Sequence, residues 1–515
     1  MTIIEQITPV LPETLDSAVN IASLSLAPLT LSSQTVTQND LTGTTAESSD
    51  FFGASLVSGN FNGDSYSDLI IGSSSESLGS TTDAGGFHAV YGFFTGITTL
   101  GNQFVVQDNL NGSASEAFDY FAGSLAAGDF DGDGYDDLAI GADGEDWISV
   151  TDSGSVNIAY GSTAGLTATG SGIVVQDDLA GTNSEAFDFF GASLTTGDFD
   201  GDGYDDLVAG AVGEDVGTIV NAGAFHFLYG SASGLTTLNN EYWTQDFLNG
   251  TSAETGDNFA SSLAAGDFDG DGYDDLVAAA VNEDFGSIVD AGLINVMYGS
   301  FIGLTSSNSE SWVQDDLNGS FSEGDDHFGS SLAVGDFDGD GYDDLAAGAA
   351  GEDVGFVTDA GAVNVVYGSG FGLTSLGSQF WTQDDLIGSS AEAFDGFGET
   401  LAVGDFDGDG FDDLAVGTPG ENIGSATDAG AVNIIYGSTF GLSSTGNQFL
   451  SQNDVTGGSA QSFDEFGYSL STGDYNRDGF EDLAIASPGE GGKQYRSRQH
   501  SLRFVRWTGC VMSKR

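Results

Sequence analysis

Short apolar runs recur along the chain, each bounded by glycine or by an acidic turn. Three of them are typified by Phe190-Gly-Ala-Ser-Leu194, Asp206-Leu-Val-Ala-Gly210 and Ala362-Val-Asn-Val-Val-Tyr-Gly368. A fourth precedes a glutamine string, as at Ile173-Val-Val and Trp381-Thr. The runs are short and rich in β-branched and aromatic residues, which is the pattern of β-strands. No segment sustains the spacing of an amphipathic helix.

The runs repeat at a fixed interval. An acidic string begins at positions 60, 129, 198, 267, 336, 405 and 474, so every step is 69 residues. A Gln-Asp or Gln-Asn string begins at 38, 107, 176, 245, 314, 383 and 452, with the same step. Units that cannot bury a core alone must stack into one body. Four short strands per unit, repeated radially, predict an all-β fold, a seven-bladed β-propeller of four-stranded blades. The first glutamine strand, near 33–41, has no acidic loop before it, and the last loop has no glutamine strand after it. The N-terminal strand is therefore expected to complete the last blade, hiding both sheet edges. Residues 1–32, with Pro9, Pro12 and Pro28, read as an irregular arm and 33–492 as the propeller.

The acidic string is Asp129-Phe-Asp131-Gly-Asp133-Gly-Tyr135-Asp-Asp137 in repeat two. Carboxylates at loop positions 1, 3, 5 and 9, with the carbonyl of position 7, can wrap oxygen ligands around a hard cation, and Ca²⁺ is the usual occupant. Glycine at position 6 permits the sharp turn. The same ligand set is predicted at Asp198, Asp200, Asp202, Tyr204 and Asp206, and at Asp267, Asp269, Asp271, Tyr273 and Asp275. It recurs at Asp336, Asp338, Asp340, Tyr342 and Asp344, and at Asp405, Asp407, Asp409, Phe411 and Asp413. Looser copies are Asn60, Asn62, Asp64, Tyr66 and Asp68, and Asp474, Asn476, Asp478, Phe480 and Asp482. Up to seven Ca²⁺ ions are expected. The loop is not an EF-hand: position 12, a bidentate Glu there, is Ile140, Ala209 or Ala278.

Composition narrows the classes. The chain of 515 residues has 79 Gly, 5 Pro and 37 Phe, enough apolar surface for a packed core with many tight turns. All 79 acidic residues lie in 1–490 against one basic residue, Arg477, a net charge of −78 for that stretch. Such a field repels nucleic acid and anionic membranes and attracts cations. The single cysteine, Cys510, excludes an intramolecular disulfide framework. No apolar run approaches the roughly 18 residues of a membrane span. The N-terminus has neither a basic n-region nor a compact apolar h-region, so a classical signal peptide is not expected.

These strings resemble the FG-GAP repeat, the unit of the integrin alpha-subunit propeller. The Phe-Gly pair stands at Phe52-Gly53, Phe190-Gly191, Phe328-Gly329, Phe397-Gly398 and Phe466-Gly467, with Phe121-Ala122 and Phe259-Ala260 as mild departures. The Gly-Ala-Pro site appears as Gly417-Thr-Pro419 and, further drifted, as Gly141-Ala-Asp143 and Gly348-Ala-Ala350. The resemblance covers about residues 33–490. It implies Ca²⁺ loops between the first and second strands of each blade, and adhesion or ligand binding at the cell exterior. Fold alone does not fix function.

On that basis the chain is expected to be a secreted or cell-surface monomer that binds an extracellular protein or glycan, and not an enzyme. The alternatives are a calcium-stabilised structural surface protein, or a propeller hydrolase or lyase. His88 and His226 share a slot held elsewhere by Asn157, Asn295, Asn364 and Asn433, which reads as a hydrogen-bonding structural position. The Gly-Glu-Asp loops at Glu145, Glu214 and Glu352 read as a solvated or metal-touching rim, and Trp243, Trp312 and Trp381 as outer-strand packing.

Composition breaks at Lys493: seven basic and no acidic residues follow, and the expected third strand of the last repeat is missing from its place. Residues 493–515 are therefore read as an aberrant basic tail, either a shifted reading frame or a genuine tail, and the seventh blade is expected to be incomplete.

Overall fold

The computed structural model describes residues 30–47, 50–112, 114–489 and 501–508. In repeat three the strands Phe190–Gly197, Asp206–Ala211, Ala224–Tyr229 and Thr236–Trp243 pair antiparallel in that order. The described strands form seven four-stranded sheets of this kind. A single turn of 3₁₀ helix follows the outer strand at each glutamine string, as at Gln176–Asp178. The second strand is buried along its whole length in every repeat, as in Asp206–Ala211, because both its faces are covered by neighbouring sheets. That is why it reads as a continuous apolar run rather than an alternating one.

The core lies between sheets. Phe199, Phe225 and Phe227 of repeat three pack with Phe259, Leu276 and Met297 of repeat four. Equivalent clusters join each successive pair of repeats, and the cluster of Val36, Phe52 and Leu69 with Tyr475, Ala484 and Ala486 joins the last to the first. The inner strands touch in a closed cycle, Leu56–Gly59 meeting both Leu125–Gly128 and Leu470–Gly473. The architecture is an all-β propeller of four-stranded antiparallel blades. Trp243, Trp312 and Trp381 end their outer strands half-buried against these clusters, as expected.

The N-terminal strand, Thr30–Thr37, lies in the sheet with Leu470–Gly473, Asp482–Ser487 and Ser501–Thr508. The expectation of an incomplete last blade is corrected here. Ser501–Thr508 fills the third place, pairing with Thr30–Thr37 on one side and Asp482–Ser487 on the other. Ladder hydrogen bonds come from the backbone, so a segment rich in apolar and β-branched residues can take the place without the repeat's motif. Val505 is buried there and joins the core. The strand is displaced by one residue: Leu414 faces Ile435, 21 residues on, whereas Leu483 faces Val505, 22 residues on. The readings of residues 1–29, 490–500 and 509–515 lie outside the described residues.

Candidate metal centres

Each acidic loop joins an inner strand to the second strand of its sheet, so backbone pairing fixes both ends. In repeat two, Asp129 opens the loop after Leu125–Gly128, and Asp137 is the first residue of Asp137–Ala142. Asp129 accepts the N–H groups of Asp133 and Gly134 at 3.0 and 2.9 Å, which curls the loop around its own first carboxylate. Gly134 sits at φ +90°, which only glycine adopts without strain. Asp137 Oδ1 accepts from the Gly161 N–H at 2.8 Å and its Oδ2 from the Phe130 N–H at 3.1 Å. Phe130 and its equivalents Phe199, Phe268, Phe337 and Phe406 are fully buried and anchor the loops to the core.

The result is a knot of acceptors. Oxygens of Asp129, Asp131 and Asp137 lie within 4.8 Å of one another, as do those of Asp198, Asp200 and Asp206, of Asp336, Asp338 and Asp344, and of Asp405, Asp407 and Asp413. In repeat four the group is Asp267, Asp269 and Asp271. Burial, reinforced by the neighbouring loop carboxylates, pushes Asp137, Asp206, Asp275, Asp344 and Asp413 up to about 8. Carboxylates crowded in this way repel unless a positive ion or a proton sits among them. An all-oxygen set suits a hard cation.

Repeats one and seven solve the same crowding with an amide. Asn62 Nδ2 donates to Asp68 Oδ1 at 3.4 Å, and Asn476 Nδ2 to Asp482 Oδ2 at 2.6 Å. Burial still raises Asp68, to about 7. Ser65 takes the glycine's place in repeat one at φ +71°.

Position 5 has a second use. Asp64, Asp133, Asp202, Asp271, Asp340, Asp409 and Asp478 each accept the N–H of the position 7 residue, which turns the chain at Tyr66, Tyr135, Tyr204, Tyr273, Tyr342, Phe411 and Phe480. The loops are also chained to each other, which sequence reasoning missed. The position 8 acid reaches back to the preceding repeat: Asp205 Oδ2 accepts from the Asp129 N–H at 2.8 Å, and Asp274 Oδ2 from the Asp198 N–H at 2.9 Å. The adjacency of two acids in Asp-Asp-Leu was visible, but their division of labour needs the ring.

Two sequence readings change. Glu145, Glu214 and Glu352 are not a solvated rim but buried. The slot of His88 and His226 is a hydrogen-bonding position in some repeats only: His88 Nδ1 meets Asn102 Nδ2 at 3.3 Å, and Asn295 Oδ1 accepts from Ser311 Oγ at 2.9 Å. His226 has neither ring nitrogen bonded and lies between Phe190 and Tyr242, with ring centroids 5.5 and 5.3 Å away. Burial lowers both histidines to about 4, so both rings are neutral.

A ring of such sheets with an acidic loop in each repeat defines the class of protein, a β-propeller built from acidic-loop repeats. The FG-GAP repeat profile matches residues 52–93, 121–156, 190–228, 259–294, 328–366, 397–434 and 466–498, and the chain belongs to that family. It is 34% identical to phosphatidylinositol-glycan-specific phospholipase D of Bos taurus over 169 residues, 32% of this chain and 19% of that protein. It is 31% identical to integrin alpha-PS2 of Drosophila melanogaster over 249 residues, 47% of this chain and 16% of that protein. The aligned stretch thus spans less than a fifth of either relative. Among solved structures, the Dos1 propeller matches with TM-score 0.43 and 10% identity, over 93% of this chain and 96% of that one. No helix among the described residues is long and apolar enough to cross a membrane.

Proposed function

We propose that the chain is a seven-bladed, calcium-loaded propeller that acts outside the cytosol as an adhesion or ligand-binding module for an extracellular protein or glycan. The observation that carries this reading is the acceptor-only knot of carboxylates recurring in five loops. Positions 1, 3, 5 and 9 and the position 7 carbonyl would hold the ion. Extracellular modules of this kind fill at roughly 10⁻⁴–10⁻³ M calcium, far above cytosolic levels. The integrin likeness supports the adhesive role. The chain is read as a monomer without nucleic-acid partners, and as a non-enzyme whose neutral, buried His88 and His226 offer no base.

The ligand would meet the face opposite the loops. Every inner strand runs from its Phe-Gly end to its acidic loop, so those ends gather at the other mouth of the ring. The residue before each Phe has the same left-handed backbone, φ between 52° and 62°, yet its identity changes: Phe51, Tyr120, Phe189, Asn258, His327, Gly396 and Glu465. A repeat that preserves its frame and varies one position around this mouth, most open at Phe51 and Tyr120, has the makings of a recognition surface. One side is aromatic, at Phe51, Tyr120 and Phe189. The other is acidic, at Glu465 and the exposed Glu399.

The test is a screen of the purified protein on glycan and matrix-protein arrays with and without EGTA, followed by Tyr120→Ala and Glu465→Ala. Calcium-dependent binding that these variants lose, at unchanged melting temperature, is the expected result. Binding that is indifferent to EGTA, or absent from both arrays, would sink the reading.

A further inference from the structure

Repeats one to six carry a second oxygen cluster, remote from the acidic loops in sequence. It is built from the Gln of the glutamine string, the Asp two residues before the Phe-Gly phenylalanine, and the Glu of the Gly-Glu-Asp loop. In repeat five these are Gln314, Asp326 and Glu352, and in repeat six Gln383, Asp395 and Glu421. All six are buried, with at most 7% of any one exposed.

The hydrogen bonding leaves oxygens facing oxygens. Gln314 Nε2 donates to Glu352 Oε2 at 2.7 Å, and Gln383 Nε2 to Glu421 Oε2 at 2.6 Å. With the amide nitrogen committed to the glutamate, the amide oxygen is left over. Gln314 Oε1, Gln383 Oε1, Asp326 Oδ1 and Asp395 Oδ1 are buried without a donor, and the Ser320 hydroxyl of repeat five is buried without a partner. The other oxygen of each aspartate accepts a backbone N–H, from Glu323 at 2.5 Å and from Glu392 at 2.7 Å. The related repeats show that the far end of the amide reaches the aspartate. In repeat seven, where Ser487 stands against the near end, the far end of the Gln452 amide is its nitrogen, which donates to Asp464 Oδ2 at 2.5 Å and to the Ser459 carbonyl at 3.2 Å while the oxygen accepts from Ser487 Oγ at 2.7 Å. In repeat one the Gln38 amide lies within hydrogen-bonding reach of Asp50. The Oε1 atoms of Gln38, Gln176 and Gln245 also lack a donor.

Two acceptors cannot satisfy each other, and a buried acceptor seeks a positive guest. Repeats one to six contain no Lys or Arg to place there, since Arg477 of the seventh acidic loop is the only one in residues 1–490. A water molecule could donate to two of the oxygens but would leave both carboxylates unneutralised. We propose that the Gln-Asp-Glu cluster is a second cation site, taking Ca²⁺ or a similar hard divalent ion on the glutamine Oε1 and the two carboxylates. Its clearest instances are in repeats five and six. The donor set is all oxygen, as such ions require. Gln314 follows the outer strand of repeat four, Thr305–Trp312, whereas Asp326 and Glu352 belong to repeat five. The ion would therefore pin each outer strand to the next sheet, away from the acidic loops.

The experiment is a crystal structure of the full chain grown with Tb³⁺ in place of Ca²⁺, read by anomalous scattering. Peaks among Gln314 Oε1, Asp326 and Glu352, and at the equivalent point of repeat six, are expected. Clusters that hold only water overturn the proposal, whether or not the loops are filled. In solution, elemental analysis of protein dialysed against millimolar Ca²⁺ should show the Glu352→Gln, Glu421→Gln double variant losing two ions per chain. An unchanged count in the folded variant overturns it as well, and the native crystal decides the matter should the variant not fold.

Discussion

Ser469 Oγ donates to the Gly53 carbonyl at 2.6 Å, joining the last repeat to the first across 416 residues. The same bond runs around the channel, from Ser55 to Ala122, Ser124 to Gly191, Ser193 to Ala260, Ser262 to Gly329, Ser331 to Gly398 and Thr400 to Gly467. The seam is therefore built like every other junction. Ser469→Ala should cost about 1 kcal/mol, the usual net worth of a hydrogen bond whose partner is left unpaired. Ser262→Ala should cost the same. Urea midpoints of the calcium-loaded variants measure both. A Ser469→Ala variant as stable as the parent, beside a weakened Ser262→Ala, would mean that the ring is open at the seam.

Calcium and pH should act against each other. Without metal, Asp137, Asp206, Asp275, Asp344 and Asp413 are raised to about 8 from an unfolded value of about 3.9. The folded, metal-free state then binds more protons than the unfolded one between those limits, so its stability falls as pH rises from about 4 to 8. Bound Ca²⁺ replaces the protons and requires ionised carboxylates. The rise in melting temperature on adding Ca²⁺ should be small at pH 5 and large at pH 8. Differential scanning calorimetry in EGTA and in Ca²⁺ across that range reads it directly. A metal-free melting temperature that climbs with pH would contradict the assignment.

The sequence made the loops legible because their spacing is local: nine consecutive residues carry every acid of each cluster. Strand order was legible for the same reason, since each repeat is one meander and only Thr30–Thr37 crosses to another. What escaped depends on neighbours in the ring. Asp205 looks like another loop ligand until repeat two is placed beside it. Glu352 looks solvent-facing until Gln314, 38 residues earlier, is brought against it. Ser501–Thr508 escaped because its side chains depart from the repeat motif, whereas its pairing is carried by backbone alone.

The loops should fill unequally. Repeat one has Asn60 and Asn62 for two carboxylates, and Ser65 at φ +71°. Asn62 already turns an amide toward Asp68, so part of a cation's role is taken. Repeat one should be the weakest site. In calorimetric titrations at low calcium, Asp64→Ala should change the bound count little, while Asp133→Ala should remove about one ion. Equal losses would contradict the ranking.

The last expectation concerns coupling between adjacent loops. Asp205 stands outside the carboxylate group of its own repeat, which is Asp198, Asp200 and Asp206. Its Oδ2 instead holds the Asp129 N–H of repeat two at 2.8 Å, and its N–H donates to the Asp129 carbonyl at 3.2 Å. Asp205→Ala removes the first bond and frees the opening residue of the neighbouring loop. Losing a hydrogen bond worth roughly 0.5–1.5 kcal/mol corresponds to a calcium affinity about two- to tenfold lower. The loss should fall on the loop 129–137 and spare the loop 198–206. Asp205→Asn, which keeps an acceptor oxygen, should retain most of the affinity. Titrating each variant in a background where only one of the two loops is intact separates the sites. Weakening confined to 198–206 would show that Asp205 serves its own ion and that the loops act independently.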